Sequence, residues 1–149
     1  MERSEDYLLL REVVDGDEIV VRALHEPFWD AENKRGTPSA FGNGNLISVS
    51  RTSVLSESQI IQILKQDLET PDRRIEAIAE VSVERIVSCG SSNDDADQGV
   101  FLSVVKDPTE NNIAHAEIMG TDGDRRRLKK ISRGVGNKIL QACLIKVLA

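Results

Sequence analysis

LISVSRTSVLSESQIIQILKQDL, residues 46–68, carries two periodicities side by side. Its first five residues, Leu46 to Ser50, are β-branched or alternating and read as a strand. In a strand Ser48 and Ser50 share one face and Val49 takes the other. Its second half opens at Ser56, with Gln59 three residues on, which is a capping box. Ile60, Ile61, Ile63, Leu64 and Leu68 then recur at helical spacing, and Pro71 lies just past the end. A strand and an amphipathic helix this close together point to a mixed α and β fold.

Outward from this stretch the chain alternates further. Glu18 to Leu24 (EIVVRAL) follows the turn signal Asp15-Gly16-Asp17 and reads as a strand. His25 to Asn45 holds Pro27, Gly36, Pro38, Gly42 and Gly44, so it cannot be one long regular element. Ile75 to Gly90 is ambiguous: alternation favours a strand through about Val83, and a helix up to Glu80 is the alternative. Ser91 to Gln98 is a polar loop tip. Gly99 to Pro108 reads as a strand, and Ile113 to Gly120 as a short one. From Arg125 to about residue 147, Leu128, Ile131, Val135, Ile139, Ala142 and Cys143 recur at helical spacing and predict a C-terminal helix. Gly134 and Gly136 weaken it, and either allow close packing or break it in two. The expected fold is α+β: a small mixed or antiparallel sheet with two principal helices, the last at the C-terminus. The 149 residues are expected to form one domain.

Composition narrows the class. Hydrophobic residues make up 40% of the chain, enough for a globular core. Aromatics make up only 3%, so the core rests on Ile, Val, Leu and Ala, and each ring needs a reason. The net charge of −6 excludes a wholly basic nucleic-acid coat. It conceals a split, because residues 125–149 carry eight basic residues and no acid, while the rest carries −14. The N-terminus lacks the apolar run of a secretory signal, and no stretch approaches a membrane span. Two cysteines, Cys89 and Cys143, do not make a disulfide scaffold. The chain reads as soluble and cytoplasmic, with no membrane partner.

Chemistry-bearing residues are few. His25 closes the first strand. His115 lies two residues before Glu117, so a strand points both the same way, as an acid–base group and a carboxylate. The alternative is that each histidine fixes a loop. A second constellation is Arg22, Ser39, Phe41, Ser48, Ser50 and Arg51, where an arginine and hydroxyls converging between strands can hold a phosphate or a ribose. The bland reading is serines on an edge strand and Arg51 at a solvent-facing turn. Phe28 and Trp29 either plug the core or wall a pocket. Phosphate-loop, dinucleotide-fingerprint, calcium-loop and zinc patterns are all absent, so no metal is indicated.

Four short blocks carry a resemblance. They are His25-Glu26-Pro27-Phe28, Ser39-Ala40-Phe41, Ile47-Ser48-Val49-Ser50-Arg51 and Asn112-Ile113-Ala114-His115-Ala116. They resemble a group of short, uncharacterised bacterial proteins with the pattern His-Pro-x-aromatic, Ser-x-Ala-Phe, Leu-Ser-Val-x-Arg and Asn-Pro-Ala-His-Ala. Glu26 and Ile113 depart from that pattern. The resemblance implies no activity but draws attention to His25, Ser39, Arg51 and His115. A looser similarity is to ADP-ribosyltransferase-like domains. It implies that Arg22 or His25 holds a dinucleotide, that Phe41 with Ser48 and Ser50 forms the central strand motif, and that Glu117 binds the ribose. NAD enters as a cofactor only on that reading.

Two functions are therefore expected to compete. The first is an interaction or accessory module, of the kind found in toxin or defence-type systems. It would dock an acidic protein or nucleic acid through Arg125, Arg126, Arg127, Lys129, Lys130 and Arg133. The second is a NAD- or nucleotide-processing enzyme, either ADP-ribosyltransferase-like or cleaving phosphodiesters with His25 and His115. A shared cleft for the two histidines is the feature that separates them.

Overall fold

The computed structural model describes residues 11–42, 44–90, 99–122 and 127–148. Its elements follow the chain as β1 (Ile19–Leu24), β2 (Trp29–Asp30), β3 (Arg35–Gly36), a 3-10 turn (Pro38–Ala40), β4 (Leu46–Arg51), α1 (Glu57–Leu68), β5 (Ala77–Ser82), α2 (Val83–Ser88), β6 (Phe101–Lys106), β7 (His115–Thr121), α3 (Arg133–Ala142) and β8 (Leu144–Val147). Six strands form one antiparallel sheet in the order β6-β7-β4-β1-β5-β8, and β2 with β3 forms a separate small hairpin. The α+β expectation is met, and the sheet is antiparallel throughout.

The sheet is covered on both faces. On one face Val20, Leu24, Ile47, Val49, Ala79, Val81, Val104 and Ile118 pack beneath Ile86 of α2 and Ile139 and Leu140 of α3. On the other, Val21 and Ile78 pack beneath Ile60 and Leu64 of α1. Strand alternation produces this division, since neighbours such as Val20 and Val21 point to opposite faces. With few aromatics in the chain, the core is made of aliphatic side chains around Phe41 and Trp29.

Local signals explain most boundaries. Ser56 caps α1 with the full capping box: its hydroxyl accepts from the Gln59 amide, and the Gln59 side chain accepts from the Ser56 amide. The ambiguous 75–90 stretch contains both elements in succession. β5 ends at Ser82, whose hydroxyl caps α2.

The tail departs from expectation. In place of one helix over 125–147, the helix covers only Arg133–Ala142. Before it, Leu128 bridges Thr121 and Ile131 bridges Gly44, so this approach is extended alongside the sheet. After it, Leu144–Val147 pairs with β5 as the sheet edge. Ser132 starts the helix by capping Val135, and Cys143 ends it in an extended conformation. The apolar spacing was shared by a bridge, a helix and a strand, and pairing with β5 outcompeted helix propagation. Arg125 and Arg126 lie outside the described residues, as do Asn43 and residues 91–98. Among the described residues no helix is long and apolar enough to cross a membrane.

The two helix glycines play different parts. A Cβ on Gly136 would stand 2.7 Å from the Phe41 carbonyl carbon and from the Gly42 nitrogen, whereas one on Gly134 would meet only Ser132 Oγ at 3.8 Å. Gly136 is thus where α3 touches the backbone after the 3-10 turn. Gly136→Ala is expected to destabilise by about 1–3 kcal/mol through overpacking, despite better helix propensity. Gly134→Ala is expected to stabilise by up to about 1 kcal/mol. Urea unfolding of the two variants checks the opposition in sign.

Candidate functional site

β1 and β4 run together for only two register pairs, Val20 with Arg51 and Val21 with Ser50. Beyond these the strands separate, and the Arg22 guanidinium fills the gap. Its Nε donates to the Ala40 carbonyl at 2.5 Å and its Nη1 to the Ser48 carbonyl at 2.8 Å. Its carbon lies 4.9 Å from the Phe28 ring centre and 5.8 Å from that of Phe41. These contacts orient the cation between two rings and two carbonyls. Among the described residues no carboxylate pairs with it, and Nη2 has no acceptor. Burial pulls the guanidinium down to about 10. It therefore stays charged at neutral pH, at a desolvation cost on the order of 3 kcal/mol.

A cavity of about 210 Å³ opens at this gap. Arg22 and Val49 reach it from the α2–α3 side of the sheet, and Val21, Ala23, Ser48 and Ser50 from the α1 side. Leu64 and Leu68 of α1 form an apolar wall. The loop after β1 supplies His25 and Phe28, and β7 supplies His115. The two histidines of the chain thus line one cavity.

Both imidazoles are held through Nδ1. His25 Nδ1 is 2.8 Å from the Glu26 carbonyl oxygen. His115 Nδ1 is 3.0 Å from both the carbonyl and Oδ2 of Asp107. A carbonyl only accepts, so in each neutral ring Nδ1 carries the proton and Nε2 carries the lone pair. Nε2 is the nitrogen left for a ligand in both rings. His25 also lies against Phe28, ring centres 5.2 Å apart.

The hydroxyls are similarly prepared. Ser50 is directly opposite His115 in the ladder, and Ser48 opposite Glu117. Buried Asn112 donates from Nδ2 to Ser50 Oγ at 3.0 Å, while its Oδ1 accepts from the Ala114 amide. Ser50 Oγ thereby receives one hydrogen bond and keeps its own proton to give.

Other expected site residues lie elsewhere. His115 and Glu117 do share a face, but Arg11 donates to Glu117 Oε1 at 3.0 Å, and the cavity wall does not include Glu117. Arg51 is held in a two-pronged pair by Glu18, with Nε–Oε1 and Nη2–Oε2 both 2.8 Å, and Ser53 also donates to Glu18. Ser39 bonds Thr37, and Phe41 is wholly buried behind Arg22. Trp29 plugs the core while its neighbour Phe28 walls the cavity. Cys143 donates to the Ile139 carbonyl, and burial pushes its thiol up to about 12, as suits a structural group.

Of the basic tail, Lys129 donates to the Gly99 carbonyl and Lys146 to Glu57 and Glu80, while Arg127, Lys130 and Arg133 are exposed. Asn112, Asp107 and Arg11 were not foreseen as site residues. Asn112 alone left a signal, as the first residue of a resemblance block. Among the described residues no three His, Cys, Asp or Glu side chains are grouped to hold a metal ion.

Comparison of the chain with protein-family models, with curated proteins and with solved structures gives no match. The residues themselves carry the functional argument.

The Glu18–Arg51 pair makes a pH prediction. Arg51 holds the Glu18 carboxyl below its ordinary 4.5. A carboxyl depressed on folding stabilises above its unfolded value, and that stability is lost as pH falls through the folded value. Glu18→Gln is expected to cost about 1–3 kcal/mol at pH 7. The difference from the unaltered protein shrinks as pH falls below 4.5. Denaturant unfolding across that range checks the sign.

Proposed function

We propose that this protein is a nucleotide-processing protein whose cavity holds the phosphoryl group of a small phosphate ester. The observation that carries this reading is Arg22, a half-buried cation that among the described residues has no carboxylate partner and whose Nη2 is uncommitted at a cavity. A buried charge is normally paired, and leaving one unpaired is costly. A bound anion supplies the missing charge and accepts the remaining guanidinium protons in the planar geometry that suits phosphate.

The rest of the cavity fits the same ligand. Ser50 offers a hydroxyl proton oriented by Asn112. His25 and His115 offer Nε2, which accepts a proton when neutral and donates one when charged. Phe28, Leu64 and Leu68 give apolar surface beside these polar groups, the usual composition of a small-molecule site. At about 210 Å³ the cavity suits a phosphoryl group and part of a sugar, with the rest of a larger ligand lying outside it. Glu117, which the ADP-ribosyltransferase-like similarity assigns to the ribose, is engaged by Arg11. A phosphate ester is therefore favoured over NAD. The interaction-module reading has less support, because the basic residues do not share one continuous helix and Lys129 and Lys146 have protein partners.

Calorimetry with inorganic phosphate, ribose 5-phosphate and ribose tests the reading. Both phosphates are expected to bind and raise the melting temperature, and ribose is not. Arg22→Met is expected to remain folded, since it removes a half-buried cation that has no carboxylate partner among the described residues. It should lose at least about tenfold in phosphate affinity. Equal binding by Arg22→Met and the unaltered protein would remove Arg22 from the site.

A further inference from the structure

We propose that the cavity cleaves phosphodiesters that carry a neighbouring ribose hydroxyl, with His25 and His115 as its proton acceptor and donor and with no metal required. This rests on the phosphate reading above and adds a reaction to it.

The geometry behind it is the matched presentation of two imidazoles. They come from parts of the chain 90 positions apart, the loop after β1 and the start of β7. Each is fastened at Nδ1 to a backbone carbonyl, and each leaves Nε2 without a protein partner among the described residues. A binding site for phosphate alone needs donors only. Two rings in the same tautomer, on a cavity that also holds a fixed cation, can in addition move protons in both directions.

Their surroundings divide the roles. Asp107 Oδ2 lies 3.0 Å from His115 Nδ1, so a protonated ring there has a counter-ion. Among the described residues His25 has no carboxylate partner: its Nδ1 meets the Glu26 carbonyl and its ring lies against Phe28. His115 is accordingly the donor and His25 the acceptor. In the reaction, His25 Nε2 takes the proton of the ribose 2′-hydroxyl. The 2′-oxygen forms a bond to phosphorus, and the bond from phosphorus to the 5′-oxygen breaks. His115 Nε2 gives its proton to that leaving oxygen. The products are a 2′,3′-cyclic phosphate and a free 5′-hydroxyl, with no water or redox partner consumed. Arg22 Nη2 and the Ser50 hydroxyl face the non-bridging oxygens, where negative charge builds.

The test uses the full chain in excess EDTA with a ribodinucleotide and its 2′-deoxy counterpart. Cleavage of the ribodinucleotide to the cyclic phosphate is expected, with the deoxy compound bound but intact. His25→Ala and His115→Ala are each expected to lower the rate by about 10²- to 10⁴-fold, with deoxydinucleotide affinity changed far less. His25→Asn and His115→Asn keep an amide donor near Nδ1 and remove Nε2, so they separate lost chemistry from lost folding and should be equally slow. Binding of the deoxy compound without any ribodinucleotide cleavage overturns the reaction and leaves the phosphate reading intact. Cleavage of both compounds, or unchanged rates in the histidine variants, also overturns the reaction. Failure of both the dinucleotides and inorganic phosphate to bind overturns the phosphate reading itself.

Discussion

A half-buried guanidinium with no carboxylate partner among the described residues is the constraint around which this molecule is arranged. Arg22 is in the middle of a strand, at a position whose neighbours Val20 and Leu24 are wholly buried. An aliphatic residue there would continue the core. The charge instead fills a gap between β1 and β4, takes the carbonyls of Ala40 and Ser48, and stands against Phe28 and Phe41. Two carbonyls and two rings lessen the burial cost without cancelling it, because none is an anion. The remaining imbalance opens onto a cavity, which is what links the packing to the proposed function.

The segment between β1 and β4 is organised to the same end. The small hairpin of β2 and β3 turns the chain back, and Thr37 ties it to Pro27 and Phe28 through a hydroxyl and an amide. Trp29 enters the core while Phe28 faces the cavity. The 3-10 turn then presents the Ala40 carbonyl to Arg22, and α3 holds this turn in place through the close approach at Gly136. A basic, glycine-bearing helix that looked like a docking surface thus also buttresses the cavity from behind.

Charge reads differently once the fold is known. Glu18, Glu57, Glu80 and Glu117 each meet a lysine or arginine, and Arg51, Arg11 and Lys146 are taken up in those pairs. Most such pairs near a surface contribute little stability. Their effect here is selective: they occupy Arg51, which the sequence placed at the site, and leave Arg22 as the cation that faces the cavity. The exposed Arg127, Lys130 and Arg133 remain on the outside.

The sequence by itself determined the α+β class, several of the strands, the start of α1 and the faces of those elements. Alternation in LISVS put Ser48 and Ser50 on one side, the Ser56–Gln59 box started α1, and the spacing of His115 and Glu117 put both on one face. These are local consequences of period and capping, so a short window contains them. The tail was misread because its apolar spacing suits a helix over a longer range than the chain uses, and the pairing of β8 with β5 is not local. The cavity was decided by tertiary structure alone. His25, Phe28, Ser50, Asn112 and His115 come from three of the four resemblance blocks, and only the strand order β7-β4-β1 brings them side by side. Which cations keep a partner was decided there as well. An ion pair such as that of Glu18 with Arg51 joins residues 33 positions apart, a separation that sequence periodicity does not encode.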